Sequence, residues 1–169
     1  MRWKANDTVV HAREGVCVVV GVEEKTLTED CPCEYYILNP VYEPGSKIYV
    51  PVERGDAVLR PLLTKQEIGE LIRMIPDMEM DWISDDKTRQ RTLQQEVKSG
   101  SHEVLLGIIT SLYQKRKEIS KTGKKFHSAD EYFFNEADKQ INREFGYVLG
   151  IDPGRVPDYI HAILAGEET

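Results

Sequence analysis

Long apolar runs are missing from this 169-residue chain. No stretch approaches the roughly 18 uninterrupted apolar residues of a membrane-spanning helix, so no span is expected. The opening residues, Met1-Arg2-Trp3-Lys4-Ala5-Asn6-Asp7, lack an apolar signal core and lead directly into a β-type run, which makes the cytoplasm the expected location. Cysteine is scarce: 3 residues, an odd number, suggest no disulfide framework. Cys31-Pro32-Cys33 sets two thiols closer than the usual zinc-ligand spacing, and Cys17 and His11 would have to be folded against them to complete a site. The valine-rich surroundings of Cys17 instead make it read as a small core residue. The histidines, His11, His102, His127 and His161, are scattered without metal-ligand spacing. No glycine loop of the phosphate-binding kind occurs, since Gly150-Ile151-Asp152-Pro153-Gly154 reads as a turn between helices, and no serine lies in a nucleophile-elbow context. These absences lead to the expectation of a protein that is not an enzyme and carries no cofactor or metal.

An excess of positive charge is missing too. The net charge is −7, from 22 basic and 29 acidic residues, which excludes nucleic-acid binding by bulk attraction. The cations are unevenly spread, however. Lys115, Arg116, Lys117, Lys121, Lys124 and Lys125 face only Glu118 in their stretch, and a smaller group, Lys87, Arg89 and Arg91, follows Trp82. Such clusters could touch DNA weakly if something else supplied most of the affinity.

What is present changes character near Arg60. Before it, β-branched and aromatic residues dominate 7–11, 16–24, 34–39, 47–52 and 57–60, which predicts five short strands. Gly15 sits where the first two must connect, Asn39-Pro40 ends the third, and Glu43-Pro44-Gly45-Ser46 is a turn signal. Too few residues for a sandwich remain, so the expected form is a small SH3- or Tudor-like β-barrel spanning 1–60.

From residue 61 to 169 the pattern is helical, giving an α+β chain with an all-helical C-terminal domain. Thr64-Lys65-Gln66-Glu67 is a capping box before Ile68, Leu71, Ile72 and Ile75, and Pro76 stops that run. An acidic linker delivers Trp82. Ser84 or Asp85 can cap a second helix that Ser99-Gly100 ends, and Ser101 can cap a third carrying Val104, Leu105, Ile108, Ile109, Leu112 and Tyr113. The third helix should end in the 114–117 turn, where cations suit its dipole, with a connector from Ser120 to His127. Ser128-Ala129-Asp130-Glu131 reads as a second capping box opening a helix through Leu149, with Phe134, Ala137, Ile141, Phe145 and Val148 on one stripe. A last short helix holds Val156, Tyr159, Ile160 and Ile163.

Trp82 admits two readings. It can anchor its segment against the neighbouring helices, or it can act as a partly exposed wedge against bases, with Lys87, Arg89 and Arg91 at flanking phosphates. The Lys115–Lys125 cluster is likewise either a solvated helix end or a DNA-facing surface.

These residues resemble a family. Trp3-Lys4-Ala5-Asn6-Asp7-Thr8-Val9-Val10-His11 with Gly15-Val16, then Glu34-Tyr35-Tyr36-Ile37-Leu38, then Ile48-Tyr49-Val50-Pro51-Val52 is similar to the polymerase-interacting domain of the CarD/CdnL family, a domain type shared with the bacterial transcription-repair coupling factor. Trp82, the basic residues after it, Lys98-Ser99-Gly100 and Leu112-Tyr113 resemble the second half of its stand-alone members. The resemblance implies a Tudor-like domain that binds the β subunit of bacterial RNA polymerase. It further implies a helical domain that stabilises the promoter open complex, with Trp82 as a minor-groove wedge at the upstream edge of the bubble. By the same resemblance, Lys87, Arg89 and Arg91 match DNA-contacting positions, and Lys25, Lys47, Ile48, Tyr49, Val50 and Pro51 match the polymerase-facing surface. Asp85 and Asp86 beside Trp82 would repel phosphate, so DNA binding by the chain alone is expected to be weak; Tyr49 stands where some relatives carry a basic residue, so the polymerase contact is expected to be less electrostatic. A monomer tethered to polymerase, contacting promoter DNA without reading its sequence, is the leading expectation; an adaptor whose helices bind another protein is the alternative.

Overall fold

In the first sixty residues, strand-forming runs are separated by residues that turn the chain, and the first four runs pair with their neighbours in sequence. In the computed structural model, which describes residues 3–26, 32–78, 80–99 and 101–166, the strands are β1 (Thr8–His11), β2 (Gly15–Lys25), β3 (Cys33–Pro40), β4 (Ile48–Pro51) and β5 (Leu59–Arg60). All pairings are antiparallel, in the order β4-β3-β2-β1-β5. Gly15 has φ of +74°, the left-handed conformation that its tight turn demands. The register pairs Val9 with Cys17, Val19 with Leu38 and Val22 with Tyr36, with a bulge between Val19 and Gly21. Val9, Cys17, Val19, Tyr36, Leu38 and Val50 thereby meet Trp3 and Leu59 in one core, and the Tyr36 hydroxyl accepts a hydrogen bond from the Trp3 amide at 3.3 Å. Cys31, of the Cys31-Pro32-Cys33 thiol pair, lies outside the described residues, and Cys33 begins β3.

The expected barrel is not closed: β4 and β5 are opposite edges of an open sheet. The predicted 57–60 strand shrinks because the chain after β4 turns through a 3-10 segment, Val52–Arg54, and a one-turn helix α1, Gly55–Val58. Only Leu59 and Arg60 are left to pair, and they pair with β1. Gly55 is a point of close approach. A Cβ there would lie 2.7 Å from the ring of buried Tyr36. Gly55→Ala is therefore expected to destabilise this unit by about 1–3 kcal/mol through overpacking, measured by urea denaturation.

The chain divides into two compact units, Met1–Leu62 and Leu63–Thr169. The second contains α2 (Lys65–Met74), α3 (Asp86–Ser99), α4 (His102–Lys121), α5 (Ser128–Leu149) and α6 (Val156–Leu164). Thr64 and Glu67 form the predicted capping box, each bonding the other's backbone N–H. Asp85 is the residue that starts α3, accepting from the Thr88 amide at 2.8 Å. Gly100 lies outside the described residues. Two predicted features differ. Helix α4 does not stop near 117 but continues through the basic stretch to Lys121. At α5 the cap is His127, whose Nδ1 accepts from the Ala129 amide, so Ser128 is already helical. Asp130, expected in a solvated capping box, points inward and is 1% exposed. Ile68, Ile72, Leu105, Ile108, Leu112, Ala137, Ile141, Phe145 and Val156 form the core of this unit. None of the described helices is long and apolar enough to cross a membrane.

Candidate nucleic-acid and docking surfaces

The stretch from 80 to 85 has no regular structure, so its position depends on side-chain contacts. Met80 supplies one: a Cβ on Gly107 of α4 would lie 3.2 Å from its sulfur, so the glycine makes the seat. Trp82 is half-buried and packs against the helical core, as the anchor reading expected, while part of it remains accessible. Its ring lies 4.5 Å from the Arg89 guanidinium carbon and 5.0 Å from Lys115 Nζ. Both are within cation–π range.

Arg89 corrects the sequence reading. Expected at a DNA phosphate, it is instead 5% exposed. Its Nε and Nη2 donate to the two Asp130 oxygens at 3.0 and 2.8 Å, Nη2 also donates to Asp86 at 2.8 Å, and Nη1 donates to the Ile83 carbonyl at 2.9 Å. The hydrogen bonds to Asp130 hold its pKa above the ordinary arginine value. The position is buried because α3 turns it toward α5, a consequence of which face α3 presents. Lys87 and Arg91 lie on the exposed side of the same helix. Asp85 and Asp86, expected to repel phosphate, are committed to the α3 cap and to Arg89 respectively. Hydrogen bonds from Thr88 hold the Asp85 carboxyl below the usual carboxylate range.

The other cations follow α4 and its exit. Lys117, Lys121, Lys124 and Lys125 are exposed, whereas Lys115 and Arg116 are half-buried. Lys115 also lies 3.4 Å from Glu118. Arg116 sits 4.7 Å from the Phe134 ring, and Lys117 sits 4.6 Å from the ring of exposed Tyr113. Tyr113 belongs with this surface, whereas the sequence places it on the helix stripe and in the Leu112-Tyr113 pair of the resemblance, with no DNA role. Its one-turn spacing to Arg116 and Lys117 was the available signal. Beneath Trp82, a hollow of about 30 Å³ is lined by residues including Thr92, Glu96 and Ser111. That admits water but is too small for a base. Among the described residues Glu96 Oε2 has no hydrogen-bond partner, and burial raises the Glu96 pKa. Any nucleic acid would therefore meet a surface here rather than enter a pocket.

On the sheet, β4 is an edge strand bonded to β3, with Tyr49 opposite Ile37 and Val50 opposite Tyr36. Side chains alternate along it. Lys47 and Tyr49 are exposed, Ile48 and Pro51 are half-buried, and Val50 is a core residue. Val50 therefore has no side-chain surface to offer a partner, a correction forced by the two-residue period of the strand. Lys25 reaches across from β2, its Nζ 3.5 Å from the Tyr49 hydroxyl, 4.5 Å from that ring and 3.4 Å from Glu23. The hydrogen bond to Tyr49 raises its pKa. Lys25, Lys47 and Tyr49 thus form a polar, partly aromatic edge. Cys17 lies in the core, where burial pushes its thiol up to about 11 and makes it inert at neutral pH. Among the described residues no group of His, Cys, Asp and Glu side chains converges as a metal site.

Comparison with known proteins separates the two units. Residues 3–63 match the CarD-like/TRCF RID domain. That family consists of protein-interaction domains known to bind the RNA polymerase β subunit. The match ends where the helical unit begins. No curated protein matches the chain.

Proposed function

We propose that this chain, whose residues 3–63 form a CarD-like/TRCF RID domain, is a transcription regulator that attaches to RNA polymerase through that unit and contacts promoter DNA through its helices. The domain match carries the reading. Supporting it, β4 offers an exposed sheet edge of the kind to which a partner strand or loop can add. Lys25, Lys47 and Tyr49 beside that edge provide polar and aromatic contacts to the β subunit.

Tethering then explains how a chain of net charge −7 can act on DNA. Attachment to polymerase raises the local concentration of a weak DNA-binding module to about the millimolar range. In this reading Trp82 is the wedge that stacks against an opened base step at the upstream edge of the bubble. Lys87, Arg91 and Lys115 are the nearby cations for phosphate, with Arg116, Lys117 and Lys121 extending the surface along α4 and Lys124 and Lys125 beyond its end. Phosphate contacts position the module without reading sequence. Three of them give a salt slope of roughly −2.7. The site of action is the bacterial cytoplasm, and the protein acts as a monomer.

The test is Trp82→Ala in the full chain, assayed with polymerase on a promoter. Loss of stacking worth about 1–3 kcal/mol should shorten open-complex lifetime by roughly 5- to 150-fold, while attachment to polymerase stays unchanged. An unchanged lifetime, with the fold and attachment preserved, would rule out the wedge and leave the adaptor reading. Loss of polymerase pull-down on Tyr49→Ala combined with Lys25→Glu checks the docking edge.

A further inference from the structure

An indole can act as a wedge only if something holds its ring out at a set angle, and the stretch that carries Trp82 has no helix or strand to do so. We propose that Asp130 and Arg89 form a clamp that positions Trp82 for insertion. Asp130, on α5, orients the Arg89 guanidinium, and that guanidinium both lies against the indole and ties down the backbone beside it. The inference deepens the wedge reading and rests on it.

Three observations combine. First, both oxygens of Asp130 are used by Arg89, and both residues are buried. A bidentate pair of this kind fixes the plane of the guanidinium as well as its position. Second, Nη1 donates to the carbonyl of Ile83, the residue next to Trp82, at 2.9 Å. The backbone carrying the indole is thereby fastened to the same group. Third, the guanidinium carbon is 4.5 Å from the indole ring centre, so the ring rests on a group whose own orientation is set from α5. Four hydrogen bonds radiate from Arg89, to Asp130, Asp86 and Ile83. A lysine, with one rotatable point charge, cannot make this set and stack on the ring as well.

A buried ion pair can often be replaced by well-packed apolar side chains at no loss of stability, so stability alone does not explain its presence. What the pair adds is orientation. A wedge already held in its working position loses less conformational freedom on entering the duplex, and that loss would otherwise be subtracted from the stacking energy. Arg89 is thus a positioning residue acting through Trp82, not a phosphate contact.

The experiment uses the full chain with Trp3→Phe, so that Trp82 is the single remaining tryptophan of two. Acrylamide quenching, emission maximum and time-resolved anisotropy report on the indole; far-UV circular dichroism reports on the fold. For Arg89→Met and Arg89→Lys with helicity retained, the expected result is stronger quenching, a red-shifted emission and a new fast anisotropy component. Open-complex lifetime should fall toward that of Trp82→Ala, with polymerase attachment unchanged. If Arg89→Met loses helicity, Arg89→Lys, which keeps a cation against Asp130, decides by the same readouts. Unchanged Trp82 signals in a folded Arg89 variant overturn the clamp itself. A loosened indole with undiminished lifetime, where Trp82→Ala does shorten it, overturns the claim that positioning serves insertion. A lifetime unaffected by Trp82→Ala overturns the wedge reading, and the inference with it, even if the indole loosens.

Discussion

Asp130→Ala should destabilise the helical unit by about 3–5 kcal/mol, the range for breaking a buried ion pair by removing one partner. The carboxylate is 1% exposed and accepts two of the four hydrogen bonds made by Arg89. Without it, the guanidinium retains Asp86 and the Ile83 carbonyl but loses its main counter-charge at 5% exposure. The cost comes less from a lost attraction than from a cation stranded out of water. Two comparisons sharpen the expectation. Arg91→Ala, at an exposed position on the same helix, should stay within about 0.5 kcal/mol of the parent. Replacing the pair together, Arg89→Met with Asp130→Leu, should recover most of the loss, because no unpaired charge is left buried. Urea denaturation followed through the helical signal measures all three, with an unchanged slope showing that the compactness of the end states is the same. A loss under about 1 kcal/mol for Asp130→Ala would mean that water reaches Arg89.

Phe145→Ala should cost a similar amount, about 3–5 kcal/mol, by a different route: a cavity in a close-packed core. Phe145 is 0% exposed and lies on α5 amid the buried side chains that join the helices. Its ring also stacks on His102 at 6.4 Å and 28°. His102 Nε2 lies 2.9 Å from Glu144 Oε2, and the other oxygen of that carboxylate accepts from the Leu63 amide. Truncation therefore removes the surface supporting a polar arrangement that links α4, α5 and the entry to the unit. Tyr132→Ala, at a side chain 59% exposed on the same helix, is the control and should change stability by no more than about 0.5 kcal/mol. Equilibrium denaturation separates the two. Equal, small effects at both positions would show that the core repacks around the missing ring.

Much of the architecture was legible because it depends on local rules. The valine and tyrosine runs before residue 60, broken by Gly15 and Glu43-Pro44-Gly45-Ser46, predicted the strands, and hydrogen bonding between sequence neighbours assembled them. Thr64 with Glu67 and Gly150 marked helix ends by capping chemistry that needs no distant partner. The resemblance carried by Trp3 to Val52 is matched by the CarD-like/TRCF RID domain over 3–63. Closure of the sheet was not legible, since it depends on whether a last strand can reach the opposite edge, and α1 takes up the residues that such a strand would need.

For the candidate sites, the amino-acid sequence determined which residue types are available: an indole after an acidic linker, cations clustered on two helices, and an aromatic strand bearing Lys47 and Tyr49. Tertiary structure alone decided their status. Arg89 and Arg91 are indistinguishable as letters two positions apart, yet one is buried against Asp130, 41 positions along the chain, and the other faces solvent. Val50 and Tyr49 divide likewise between core and surface. Charge and aromaticity are properties of a residue; burial and pairing are properties of the neighbours that folding brings to it, and those neighbours come from helices and strands far away in sequence.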